Sequence, residues 1–348
     1  MSRILPVLLI AFVLPATAGT VAEEAPVPTI RARHAGVFTF YFENDYFGGT
    51  DRHYTNGMKA AWLLSDLSSW GREGTLRHAL ESLPFVNRPG GQKNFGFAFG
   101  QNIYTPQDQR ASVPDPTDRP YAGWSYVEFT LLTKTGHLAD SLSLQVGLIG
   151  RHSYAQDLQR VMHAWLNDSQ PKGWSHQLRD EPGLNLIYER KWRFHGRAPN
   201  DVMGYDFLPH VGVSLGNVQT HANAGGTLRL GYNLPRDFGV QWIRPGGAGN
   251  SPVDDRDPRV APGRHWGYYV FAAVDGRAVA RDIFLDGNTF REGPRVDKRP
   301  FVADISYGFG IIRGRWQFTF TQIFRTREFR TQPYDFNDFG SVTLSHAY

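Results

Sequence analysis

Glu43, Asn44 and Asp45 put three oxygen-bearing side chains in a row, and Asp51, Arg52, His53, Tyr54, Thr55 and Asn56 follow after a Gly48-Gly49 turn. Carboxylate and amide oxygens are what a hard cation takes as ligands, and clustered Asp and His can move protons. The same residue types build turns, so a solvated hairpin loop is the alternative reading. A second candidate group lies at Tyr154 to Asn167. There Leu158, Val161, Met162, Trp165 and Leu166 recur at three- and four-residue spacings, the mark of an amphipathic helix, with Gln156, Gln159, His163 and Gln170 on neighbouring faces. With 12 histidines in the chain, an ordinary surface histidine is the plain alternative for His163. Cysteine is absent, which removes disulfides, thiol nucleophiles and thiolate metal sites together. No G-x-S-x-G elbow supports a covalent serine mechanism.

The elements that must carry these groups are strands. Phe38, Phe40 and Phe42 alternate with Thr39 and Tyr41 and lead straight into the polar tip. Similar two-residue periods mark 36–44, 54–66, 93–104, 121–135, 139–151, 183–196, 203–218, 224–234, 265–281, 298–312, 315–328 and 340–348. About twelve strands result, an even number as single-chain bacterial barrels require. The last strand alternates Val342 and Leu344 with Ser341, Thr343 and Ser345 and ends on Tyr348, as the final strand of an outer-membrane barrel does. The expected fold is therefore all-β: a transmembrane antiparallel β-barrel of about twelve strands with a short external helix over its rim.

Composition agrees. The chain of 348 residues is 14% aromatic with a mean hydropathy of -0.40. Beyond the N-terminus, no run approaches the roughly 20 apolar residues of a membrane helix, but a barrel hides its hydrophobicity in alternation. Residues 1–18 read as a signal peptide, with Arg3, the apolar run Ile4 to Leu14 and an Ala16-Thr17-Ala18 cleavage site. Residues 19–35 form a mobile lead, and 36–348 form the barrel. A net charge of +4, without a basic run or a binding motif, gives no argument for nucleic acid. Outer-membrane lipids are the expected surroundings, and a monomer the expected state. If the first strand rises from the periplasm, the connections 45–53, 105–120, 152–182, 219–223, 282–297 and 329–339 are external. The polar tip and the histidine helix then share one rim. Two periplasmic connections, 67–92 and 235–264, are unusually long for a barrel. The first holds a short helix at Thr75 to Ser82, and the second, rich in Pro, Gly and Asp, reads as disordered or as an elaborated turn.

Ordered motif blocks now carry a resemblance: ENDYF with the following TDRHYTNG, GQNIYTP at Gly100 to Pro106, DRPYAGW at Asp118 to Trp124, and QDLQRVMHAW followed by PKGW and Gln177. In this order they resemble the outer-membrane lipid A 3'-O-deacylase family. The resemblance implies a site between barrel wall and external helix, facing the outer leaflet, and calcium-dependent hydrolysis of an acyloxyacyl chain of lipid A within lipopolysaccharide. It implies Asn44, Asp45, Thr55 and His163 as catalytic residues and Asp45 with Asn44 as Ca2+ ligands. His163 then acts as general base and the cation stabilises the oxyanion. Arg110, Arg119 and Gln159 are the expected substrate-binding residues, although Asp118-Arg119 reads equally well as a structural ion pair. The family's acidic residue six positions after the histidine is Ser169 here, and its second-loop lysine has no counterpart. A porin-like channel and an outer-membrane binding or adhesion protein are the competing readings.

Overall fold

Alternation decides which side chains enter the barrel. The computed structural model describes residues 36–49, 53–67, 70, 74–83, 85–88, 90–166, 169–197, 203–239, 242–244, 250–263 and 266–348. The expected signal peptide and lead lie outside the described residues. In β1 (Val37–Asn44), Thr39, Tyr41 and Glu43 are buried, while Phe38, Phe40 and Phe42 lie half-buried on the opposite face. The same period of two runs through β2 (His53–Leu63), β3 (Gln92–Thr105), β4 (Ala122–Lys134), β5 (Leu138–Ile149) and β6 (Glu181–Trp192). It continues through the short β7 (Phe194–Arg197) and through β8 (Met203–Gly216), β9 (Gln219–Tyr232), β10 (Trp266–Asp282), β11 (Phe301–Arg313), β12 (Trp316–Thr326) and β13 (Phe336–Ala347).

Every neighbouring pair is antiparallel. β1 meets β13 from Val37↔Ala347 to Asn44↔Gly340, and β6 meets β8, so the sheet closes on itself, with only the short β7 paired on one side among the described residues. The result is a twelve-stranded barrel with one extra strand. The sequence joins β6 and β7, and the structure breaks them at Arg193, whose N–H turns to the His137 carbonyl at 2.8 Å. The outward band is apolar and exposed, as at Phe99, Phe129, Leu148, Leu184, Val270 and Ile305, which is the surface a bilayer covers. Among the described residues no helix is long and apolar enough to cross a membrane. The connections at the end where β1 finishes are 45–52, 106–121, 150–180, 217–218, 283–300 and 327–335, the set expected to be external.

The connection 235–264 differs from expectation: its described residues fill the lumen. Arg259 pairs with Asp237 and Asp257 at 2.7 Å each and donates to Gln317 of β12 at 2.8 Å, and Arg229 of β9 pairs with Asp206 at 2.6 Å and Asp237 at 2.7 Å. Lys134 of β4 donates to the carbonyls of Ser251 and Pro252, and Asn250 donates to Thr39 of β1. A Pro, Gly and Asp-rich stretch looks unstructured from composition because its partners are distant lumen side chains. The other long connection carries α1 (Thr75–Glu81) and packs outside the wall, where the outward-facing Thr133 hydroxyl donates to the Val86 carbonyl and Phe85 meets Tyr188 with ring centres 5.0 Å apart.

Candidate active site

On the outward face of β3, Phe99 is 56% exposed, but Ile103, four residues nearer the external rim, is fully buried. What covers it is α2 (Ala155–Leu166), the external helix, which packs on β3 and β4. Ile103, Tyr121, Ala155 and Trp174 form one apolar cluster, with Leu158 against it. Register places Asn44, Asn56, Ile103 and Gly123 in a single row across β1 to β4. At the end of that row Gly123 has no side chain, and a Cβ there would overlap Ala155 Cβ and Ser153 Oγ. The carbonyl of Ser153, just before the helix, accepts from Gln101 and from Ser125 at 2.6 Å each. The wall thus fixes where α2 begins. Gly123→Val is expected to lift the helix while leaving the barrel closed; any activity that depends on α2 drops by about 10²-fold, the scale of a 1 Å misplacement. Proteolytic nicking of 150–180 in intact barrels, measured beside turnover, checks this.

The buried face of α2 carries two polar side chains beyond Ala155 and Leu158. Gln159 is 2% and His163 5% exposed, whereas Val161 and Trp165 are 64% and 81% exposed. Of the apolar stripe, Val161 and Trp165 therefore face the membrane side, because a barrel's outer wall meets lipid, while Leu158 packs on the protein. His163 Nδ1 lies 2.7 Å from the Ser169 carbonyl oxygen, which only accepts, so Nδ1 carries the proton. Gln159 Oε1 accepts from the Trp174 indole at 2.7 Å, and its amide nitrogen donates to Gln109 Oε1 at 2.8 Å and faces His163 Nε2 at 3.4 Å. Trp174 fixes the amide's orientation, and the amide presents an N–H to Nε2. Two independent contacts assign the same tautomer, with a lone pair on Nε2. Gln159, expected to bind substrate, instead holds the histidine.

At the other end of the row, Asn44 caps a short 3-10 turn, Asp45–Gly48, by accepting from the Tyr46 N–H at 2.8 Å. Asp45 is buried in the first position of that turn. Across the strand pair, Asn56 donates to the Glu43 carbonyl at 3.2 Å, while its Oδ1 is buried and finds no hydrogen-bond partner among the described residues. A carboxylate, a capping amide oxygen and an orphaned amide oxygen form a hard-oxygen donor set, and these residues fit Ca2+ in chemical type. Among the described residues there is no cluster of three or more His, Cys, Asp or Glu suited to a metal, so the amides and water must complete such a site. Thr55 lies at a bulge in β2, where the register shifts between Tyr54 and Asn56, and its hydroxyl shares a 2.6 Å hydrogen bond with that of Thr105.

The two arginines part company. Arg110 is exposed, and its Nε donates to Ser169 Oγ at 3.3 Å, next to the carbonyl that holds His163. Arg119 is fully buried, pairs with Glu328 at 3.0 Å and lies over the Tyr104 ring at 4.8 Å. A guanidinium with no exposed surface cannot meet a lipid phosphate, so the expectation for Arg119 is corrected: it ties loop 106–121 to loop 327–335. Burial by itself would raise the Glu328 pKa, but Arg119 and Arg325 outweigh it and hold the carboxyl at about 2. A depressed carboxylate stabilises the folded form above its ordinary value of 4.5, and that stability is lost as pH falls through about 2. Glu328→Gln is expected to flatten the acid dependence of loop unfolding across that window, followed by limited proteolysis at graded pH.

Sequence reasoning missed Thr105, Gln109, Gly123 and Trp174 as parts of the site. Thr105, Gly123 and Trp174 stand inside the quoted motif blocks, but nothing in a motif says that an indole orients an amide. Comparison with known proteins bears on the whole chain. A family model described as outer membrane protein LpxR matches residues 5–348. LpxR from Salmonella typhimurium superposes with a TM-score of 0.69 at 18% identity, covering 89% of this chain and 99% of that one. The β domain of the Bordetella autotransporter BrkA gives a TM-score of 0.42 at 8% identity, covering 91% and 99%. No curated protein matches the sequence. With the model matched along nearly its entire length and the barrel shared, the chain belongs to the LpxR family of outer-membrane proteins, the lipid A-modifying group that its motifs resemble.

Proposed function

We propose that the protein is a lipid A esterase that removes an acyloxyacyl chain at the outer leaflet, with His163 as general base. The observation that carries this is the tautomer: the Ser169 carbonyl holds Nδ1–H at 2.7 Å, leaving Nε2 able to accept a proton. At 3.4 Å the Gln159 contact to Nε2 is long, so a water can compete for the lone pair. Location supports the same reading. The covered strip lies on the lipid-facing wall at the external end, the depth at which the ester bonds of an outer-leaflet glycolipid lie. The exposed Val161 and Trp165 of α2 offer its acyl chains an apolar neighbour. From Asn44 to Gly123 the row spans three strand spacings, about 14 Å. His163, eight residues after Ala155, stands about 12 Å along α2, a length of the same order as that strip.

In the proposed reaction, water gives a proton to His163 Nε2 as its oxygen attacks the ester carbonyl. The tetrahedral oxyanion collapses, and the imidazolium returns the proton to the departing alkoxide, yielding a free acid and an alcohol. Thr55, its hydroxyl shared with Thr105, is a candidate donor to the oxyanion. Asn44, Asp45 and Asn56 would hold Ca2+, which polarises carbonyls and offsets negative charge when bound. Arg110, exposed beside Ser169, suits a lipid A phosphate through a bidentate fork. A channel has little support, since the described residues of 235–263 place ion pairs and hydrogen bonds in the lumen. Mass spectrometry of lipid A from cells with and without the protein, with and without calcium, tests the proposal. A lipid A spectrum unchanged by the protein would end it.

A further inference from the structure

The two faces of β1 meet different machinery at consecutive residues. Asn44 lies in the outward row, and Glu43, fully buried, points into the lumen. Glu43 Oε1 accepts from the Ile243 N–H of the lumenal segment at 2.5 Å, and Oε2 accepts from the Tyr54 hydroxyl of β2 at 2.8 Å. Its carbonyl accepts from Asn56, whose other amide atom is the orphaned oxygen of the candidate cation site. Every acceptor on the residue before Asn44 is therefore committed. One goes to the lumenal segment, one to the neighbouring strand and one to the site.

The tip of that segment is itself held. Trp242 belongs to an aromatic cluster with Tyr54, Tyr104, Phe284 and Phe339, and Arg244 pairs with Glu189 of β6. Gly57, opposite Glu43 in register, leaves the space: a Cβ there would overlap the Tyr54 hydroxyl and come within 3.2 Å of Ile243 Cδ1. Adjacent strand residues point to opposite faces and are only about 3.3 Å apart along the strand, so a shift of Glu43 carries Asn44 and Asp45 with it.

We propose that Glu43 is a positioning residue, and that the lumenal segment, entering from the periplasmic end, props the strand tip bearing Asn44 and Asp45 from inside the barrel. This rests on the esterase reading for its kinetic consequence but not for its structural one. Ile243→Pro removes the N–H and leaves Glu43 in place. In the purified full-length barrel it should lower kcat by about tenfold or more with KM changed by less than about twofold, the signature of a misplaced catalytic group. Hydrogen exchange at the amides of 45–48 should quicken, while exchange in β10 to β12 stays as in the wild type. Glu43→Ala should match it, the double variant should be no worse than either, and Glu43→Gln should recover part of the loss. If Glu43→Ala fails to insert, Ile243→Pro decides, since it alters no strand residue. Wild-type kcat together with unchanged exchange at 45–48 in Ile243→Pro overturns the proposal, as does a loss of kcat that only follows the unfolded fraction. Should the wild type lack deacylase activity, the esterase reading fails, and the exchange comparison alone rules on the prop.

Discussion

His163→Ala is expected to insert as a closed barrel and to hydrolyse lipid A about 10²–10⁴-fold more slowly than the wild type, the range that general-base catalysis contributes. The fold should tolerate the change because α2 is held elsewhere. Ala155 and Leu158 pack with Ile103 and Trp174, and Gln159 keeps its bonds to Gln109 and Trp174. The substitution removes the hydrogen bond to the Ser169 carbonyl, worth about 1 kcal/mol, and the longer contact with Gln159. His163→Gln should do no better: its amide can fill the space and donate to Ser169, but it cannot take up a proton. Heat-modifiability on gels reports the barrel, and a mass-spectrometric time course reports hydrolysis. Deacylation at the wild-type rate by a well-folded His163→Ala would remove the histidine from the mechanism.

Asp45→Ala should cost about 10²–10³-fold in kcat, the effect of losing one stabilising partner of a developing oxyanion, and added calcium should not restore it. Asp45 is the carboxylate of the proposed donor set, the other members being amide oxygens of Asn44 and Asn56. A divalent cation held by neutral ligands alone binds weakly, because ligand charge tunes calcium affinity over several decades. Calcium titration of the purified protein by calorimetry gives a readout separate from activity, and Asp45→Ala should weaken or abolish the heat signal. Asn56→Ala should weaken calcium binding less, and Asn44→Ala should also loosen the turn at 45–48 by removing its cap. Normal lipid A hydrolysis by Asp45→Ala, or a wild type indifferent to chelator, would rule out the metal role.

Much of the fold was legible in the sequence because a strand's side chains alternate with a period of two. Phe38, Phe40 and Phe42 against Thr39, Tyr41 and Glu43 already separate lipid from lumen, and strand parity already puts the tip of β1 and the histidine helix at one rim. The candidate residues Asn44, Asp45, Thr55 and His163 were visible as types in ordered motifs. Tertiary structure decided what those residues touch. Helical periodicity marked an apolar stripe on α2 but not its direction; beside a membrane wall Val161 and Trp165 turn outward, while Gln159 and His163 are buried with Ala155 and Leu158 against the protein. Arg119 and Arg110 are both loop arginines in sequence, and only the approach of Glu328, 209 residues away, buries one of them. The stretch from 235 to 263 reads as a loose connection because its described residues are held by charges paired with β9 and by hydrogen bonds to β1, β4 and β12. Local sequence determines the period and the turn chemistry of each element. Long-range ion pairs and the identity of the surrounding medium determine which face is used and what fills the space between.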